Sequence, residues 1–189
     1  MTIEIKPLSP NLAETFTSYI SSMDFRHAPH WQFCNCQYYH LKCTTEEWRA
    51  RSAEANQELA HENISNGVMK GFMAFDGDKP VGWVNANDWQ NYALLEDDPE
   101  MLQFEGKSGV VVCFLIHPDY RGQGLAQRML ETVVEDFRKQ GFDRVVGRPF
   151  LWSAHPERQY HGVPNMFEKL GFEKVSEKNG VYTYVLELK

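Results

Sequence analysis

A chain of 189 residues, 42% of them hydrophobic, is long enough for one domain with a substantial core. Its 26 acidic against 19 basic side chains leave a formal charge of −7, which gives no electrostatic reason to bind nucleic acid. The apolar runs are too short to cross a bilayer, and Ile3, Ile5 and Leu8 alternate with charge or proline instead of forming a leader, so the expectation is one cytoplasmic domain over 1–189 with no nucleic-acid or membrane partner.

Residues 2–6, TIEIK, alternate and predict an opening strand. Ser9-Pro10 supplies an N-cap followed by proline in the first turn, and Leu12, Phe16, Tyr19 and Ile20 mark the buried face of a first helix. From about Met23 to Cys43 the chain is dense in His, Trp, Tyr and Cys without a lasting period, which predicts a long ordered loop. Thr44 and Glu47 form a capping box that opens a second helix, with Trp48, Arg51, Ala55 and Leu59 along its face. A hairpin follows: GVMKGFMAF (67–75), the turn DGDKP and VGWVNAN (81–87). Residues 88–107 are irregular or hold a short helix.

From Gly109 the chain reads GVVVCFLIH, in which β-branched and aromatic residues dominate without strict alternation, as in a strand covered on both faces. Pro118 ends it, and Asp119, Gly122 and Gly124 suit a tight reversal. Leu125, Met129, Leu130, Val133, Val134 and Phe137 then form a stripe of helical period that closes on Gly141. A helix start with free N–H groups and a partial positive charge attracts phosphate oxygens, the two glycines keep side chains out of the approach, and Arg121 can add a charge-assisted contact. The spacings GxxxxGK[ST] and GxGxxG with a distal acid are absent, which argues against a nucleotide triphosphatase or a dinucleotide dehydrogenase. Phe142–Gly147 predicts a short strand, Pro149–Pro156 a loop, Val163–Leu170 a helix ended at Gly171, and two last strands flank Lys178-Asn-Gly180.

The run Arg121-Gly-Gln-Gly124-Leu-Ala126 resembles the R/Q-x-x-G-x-G/A pyrophosphate signature of the GNAT-type N-acetyltransferases, and Phe167-Glu-Lys-Leu-Gly-Phe172 resembles the second helix and following strand of that superfamily. The resemblance covers most of the chain. It implies an α/β fold with a mixed, mostly antiparallel sheet of six to seven strands and helices on both faces. It also implies acetyl-CoA as co-substrate and direct transfer of its acetyl group to a primary amine, with no metal. The backbone of Phe114, Leu115 and Ile116 would bind the pantetheine arm, and Arg121, Gly122, Gln123, Gly124, Leu125 and Ala126 the pyrophosphate. The acceptor class, expected to be a small molecule, is otherwise open, as is the choice between monomer and homodimer. A non-catalytic CoA-binding or regulatory domain with the same fold is the competing reading, and in a nonenzymatic domain the same glycines would only make a turn.

An amine that attacks a thioester must be uncharged, so a base is needed for an acceptor as basic as lysine. Glu105, just before the cofactor strand, is the first candidate, against the plain alternative of a solvated glutamate. His117, His155 and His161 are further options, with His117 more simply a hydrogen-bonding strand terminus. Relatives commonly carry a tyrosine at the position of Phe167, where it serves the leaving sulfur; Phe167 is assigned to the cofactor site without that hydroxyl. Tyr160, seven residues earlier, is the candidate to line the acetyl site in its place.

Cys34, Cys36 and Cys43 lie near His27, His30 and His40, but without paired C-x₂-C knuckles the plain reading is reduced, partly buried thiols and no zinc. The opening Trp31-x-x-Cys34-x-Cys36 resembles that of a less characterised branch of the same superfamily. Trp31 with Phe33, Tyr38 and Tyr39 could line an apolar acceptor surface. Trp83, Asn85 and Asn87 alternate on one strand face and either point together toward the acceptor, with Trp89 and Tyr92 closing that side, or are one packed aromatic and two solvated amides.

Overall fold

A computed structural model describes residues 2–26, 28, 31–150, 159–178 and 180–189. Seven strands form one sheet: β1 (Ile3–Pro7), β2 (Gly71–Asp76), β3 (Lys79–Asp88), β4 (Ser108–Ile116), β5 (Arg144–Gly147), β6 (Glu173–Lys178) and β7 (Val181–Glu187). Their order is β1-β2-β3-β4-β5-β7-β6, and every neighbouring pair is antiparallel except β4–β5. The expected α/β class and its mostly antiparallel sheet are therefore present, with seven strands.

Helix α5 (Leu125–Lys139) covers one face, and its six predicted stripe residues are all buried. Beneath it Gly109 on β4 leaves room for the Phe137 ring, whose nearest atom would lie 2.4 Å from a Cβ at that position. Gly141, at φ +73°, follows the helix end, and Phe142 N–H donates back to Phe137 O, so glycine serves as the left-handed terminator that the sequence predicts. The short helix α6 (Pro164–Glu168) packs into the same core through Phe167. It is shorter than the expected 163–170, and Tyr160 lies in the turn before it.

The other face carries α1 (Ala13–Ser22) and α3 (Ala53–Ser65), whose apolar sides enclose Met73, Phe75 and Trp83. The single helix expected after Thr44 is two. The capping box opens α2 (Thr45–Ala50), Arg51 turns to extended backbone, and the Ser52 hydroxyl accepts from Ala55 N–H to start α3. Residues 88–107 hold two 3₁₀ turns and the four-residue helix α4 (Pro99–Leu102). The 23–43 segment is ordered by repeated i→i+3 backbone bonds from Ala28 to His40. Polar side chains pin it to α3: Asn56 donates to Phe33 O at 2.8 Å, and buried Gln37 accepts from Asn63 at 2.8 Å.

Candidate active site

The parallel pairing of β4 with β5 runs only from Ser108↔Arg144 to Val111↔Gly147, after which the two strands separate. Separation begins where β4 is irregular. Its register with β3 passes from Asn85↔Cys113 to Ala86↔Val111, so Val112 is an extra residue and the strand bulges there. Gly147 sits at the last paired position because the Phe167 ring fills the space of its missing side chain, with an atom 2.1 Å from the site of a Cβ. A bulge and a glycine thus open a V between two parallel strands.

Backbone groups alternate along β4. His117 N–H donates to Val81 O on β3, whereas Phe114 N–H donates across the gap to Tyr160 O at 2.6 Å, and Ile116 O accepts from Arg121 Nε at 3.0 Å. Phe114 and Ile116 therefore face the opening. Leu115, of the other parity, turns its amide toward β3, and its carbonyl also accepts from the Tyr19 hydroxyl at 3.0 Å. Of the three backbone positions expected to meet the pantetheine arm, the strand's own alternation removes Leu115.

At the open end the turn 121–124 is exposed. Gly122 (φ +70°) and Gly124 (φ +77°) take left-handed backbone, and a Cβ on either would meet nothing within 4 Å. The two glycines border open space directly before α5, and no side chain caps that helix. Its first amides are available to an anion, as the phosphate reading requires. Gln123 braces the turn by donating to Asp119 O at 2.7 Å. Leu125 buries its side chain in the core, so only its amide can serve a ligand, and Ala126 packs against the same core.

Phe167 is fully buried, lies 6.0 Å from Tyr184 in a stacked arrangement, and meets Gly147 and Gly162 at the base of the V. Trp31 and Tyr160 come together edge to face at 4.7 Å. Burial raises the Tyr160 pKa, with the nearby Cys113 and Cys34 adding to it, so its hydroxyl stays protonated. Trp83, by contrast, is core: it is fully buried against Phe16 at 4.9 Å, with its indole N–H beside the Cys36 sulfur. Asn85 shares that strand face and is also buried, its Oδ1 accepting from the Tyr92 hydroxyl at 2.6 Å. Asn87 bonds to Val68 O and Asn91.

Glu105 is not brought to this site. It precedes β4 at the paired end of the V, where its carbonyl accepts from Arg144 Nη1, and six strand steps from Ser108 to Phe114 already span about 20 Å. His117 accepts from Asp119 N–H and ends the strand, a structural role. His155, His27 and His30 lie outside the described residues. Among the described residues no group of three or more His, Cys, Asp or Glu is placed to hold a metal, and all four cysteines are free thiols.

One contact escaped the sequence, and one candidate base is placed in a buried ring cluster. Cys113, placed beside Val112 by the bulge, lies next to Cys36. His161 is buried among Tyr39, Phe150 and Tyr160 at ring distances of 6.0, 4.3 and 4.3 Å. Nearby, Asp98 and Glu100 pair with Arg148, and Glu100 also accepts from Ser176, Thr183 and Lys178. Burial pushes the Glu100 carboxyl up, but these hydrogen bonds and charges outweigh it and hold it at about 2.

Residues 33–172 match the sequence model of the Acetyltransferase (GNAT) family. The polyamine N-acetyltransferase of Drosophila melanogaster, which forms N-acetylagmatine, superposes with a TM-score of 0.60 at 16% identity over 98% of this chain and 100% of that one. The paia N-acetyltransferase of Thermoplasma acidophilum, solved with coenzyme A, gives 0.57 at 13% identity over 99% of each chain. The ribosomal-protein-S5-alanine acetyltransferase of Vibrio fischeri gives 0.58 at 15% over 100% and 94%. No curated protein matches the chain in sequence.

Proposed function

The chain belongs to the GNAT acetyltransferase family, and from that premise we propose that it moves the acetyl group of acetyl-CoA directly to a primary amine of a small molecule. The observation that carries this is the uncapped α5 start behind two open glycines, set at the mouth of a V whose inner edge presents the Phe114 and Ile116 backbone. Nothing in packing alone calls for left-handed glycines bordering empty space on both sides of Gln123.

Acetyl-CoA supplies a thioester whose acyl carbon an uncharged amine attacks as the sulfur leaves. The amides of 122–126 hold the diphosphate, and Arg121, already folded against Ile116 O, adds charge at the mouth. Ile116 pairs with the pantetheine arm. Phe114 N–H, which now donates to Tyr160 O, is the donor placed to polarise the thioester carbonyl, with that oxygen taking the position of the Tyr160 carbonyl. Phe167 contributes shape at the base of the V and no proton. The protonated Tyr160 hydroxyl lines the acetyl site and is the donor available to the departing thiolate. Trp31 and the Trp31-x-x-Cys34-x-Cys36 loop form the acceptor side, in keeping with the branch that this loop resembles, and Asn85 supports that wall from beneath through Tyr92. The protein acts in the cytoplasm as a monomer or homodimer.

Calorimetric titration with CoA and acetyl-CoA, followed by an assay for sustained CoA release over an amine panel, tests the proposal. Binding with continuous release supports it. The absence of a hydroxyl on Phe167 favours one second reading, a CoA-binding domain without turnover, and binding with no release to any amine would establish that reading instead.

A further inference from the structure

The sheet ends on two unlike edges. At one, β1 is five residues long, stops at Pro7, which has no N–H to offer a partner, and gives its Ile3 carbonyl to Arg128 of α5 at 3.1 Å. At the other, β6 has six residues without a proline, and all are exposed except Ser176, which is half-buried. Val175, the extra residue of a bulge against β7, presents an apolar side chain at 52% exposure.

The register with β7 fixes which face each charge of β6 takes. Lys174 and Glu177 lie opposite Tyr184 and Tyr182, and Lys174 Nζ stands 5.2 Å from the Tyr182 ring centre and 3.0 Å from Glu177 Oε2. Glu173, Ser176 and Lys178 lie opposite Val185, Thr183 and Val181 on the other face, where Ser176 and Lys178 both reach Glu100 of α4. Residues directly opposite in an antiparallel pair share a face, and opposite charges there attract. A second β6 laid antiparallel, about a two-fold axis between Val175 and Ser176, sets Lys174 against Glu177 and Glu173 against Lys178. Both pairs keep to one face, are opposite in sign and occur twice by symmetry. A slip of one residue would instead oppose Glu173 to Glu177, or Lys174 to Lys178, so the charges specify the register as well as the partner.

We propose that the β6 edge is a homodimer interface, on which a second copy of this chain pairs its own β6 antiparallel and joins the two sheets edge to edge. Charges and a bulge turn an unrelated strand away from a sheet edge, and here the same features suit an identical one. The proposal is independent of acetyl transfer, since β7 stands between β6 and the strands of the V.

Analytical ultracentrifugation of the full chain and two charge-reversal variants tests it. One short strand edge is a small interface, so the wild type should show a concentration-dependent dimer with a Kd of about 1–100 µM, weakened by salt. Lys174→Glu leaves only acids at the two central positions of that face, and Glu177→Lys leaves only bases. Because the axis repeats each contact, either variant alone should raise the Kd at least about tenfold. An equimolar mixture of the two restores opposite charges at both central pairs and should recover a heterodimer close to wild-type affinity, which also shows that each variant is folded. A wild type that stays monomeric up to about 200 µM overturns the proposal. So does a dimer that neither variant weakens, which would use another surface, and so does a mixture that associates no better than its components.

Discussion

Gly124→Ala separates the folding role of the cofactor turn from its ligand role. At φ +77° an L-residue costs about 1–2 kcal/mol in backbone strain, yet the new Cβ would meet no atom of the chain within 4 Å. In a domain of this size the fold should survive with Tm lowered by about 2–8 °C. If the turn holds the diphosphate as proposed, the new methyl stands instead in the space through which phosphate oxygens approach the helix start. Loss of one amide–phosphate hydrogen bond, worth about 1.5–3 kcal/mol for a charged acceptor, raises Kd and KM for acetyl-CoA by roughly 10- to 150-fold. The kcat at saturation stays within about threefold, because the Phe114 amide lies on another element. Gly141→Ala provides the control: it has φ +73°, the same open surroundings and a place at the opposite end of the same helix. Both variants should melt at similar temperatures by scanning fluorimetry, and only Gly124→Ala should weaken acetyl-CoA binding by calorimetry. Equal affinities in the two variants would refute the assignment of this turn to phosphate.

Other expectations follow from the same packing. Histidines 40 and 161 are held neutral in the fold at about 4 and about 3, so the unfolded chain binds more protons below pH 6.5 and stability falls as pH drops. Between pH 6.5 and 5 the loss should reach about 2 kcal/mol per histidine, and a pH series of melting curves should show His161→Phe removing close to half of it. Glu100→Gln should cost about 3 kcal/mol at pH 7, because a carboxylate held at about 2 stabilises the fold above its unfolded pKa and loses that contribution only as pH falls toward 2. Urea unfolding of the two proteins at pH 7 measures it, and superimposable curves would contradict the ion-pair assignment. Gly147→Ala should destabilise by several kcal/mol, since the buried Phe167 ring cannot leave a 2.1 Å overlap without opening the base of the V; unchanged melting would show that the ring has somewhere else to go.

The parts of the fold that were legible in the sequence are those with a sustained period. The α5 stripe, the doubly covered β4 and the glycine turn between them all appear where residue spacing puts them, because each is fixed by local geometry and one buried face. The break between α2 and α3 was hidden because Trp48, Arg51, Ala55 and Leu59 read through it; Ser52, a capping residue inside the run, was the available signal. Trp83, Asn85 and Asn87 do share a face, as alternation predicts, but alternation cannot say what covers a face. Here α1 and the 88–95 segment do, so Trp83 is core. The bulge at Val112 has no sequence mark, and with it went the placement of Cys113 and the exclusion of Leu115 from the gap. Glu105 sits in an aperiodic stretch that offers no geometry, and strand length alone separates it from the open end of the V.

The most direct measurement of the central claim is a ¹H–¹⁵N titration of the labelled protein with CoA and then with acetyl-CoA. The amides of Gly122, Gly124, Leu125 and Ala126 should move with either ligand, and Phe114 should move further with acetyl-CoA as its bond to the Tyr160 carbonyl is exchanged for one to the thioester. Saturable binding that leaves the 122–126 amides in place would contradict it.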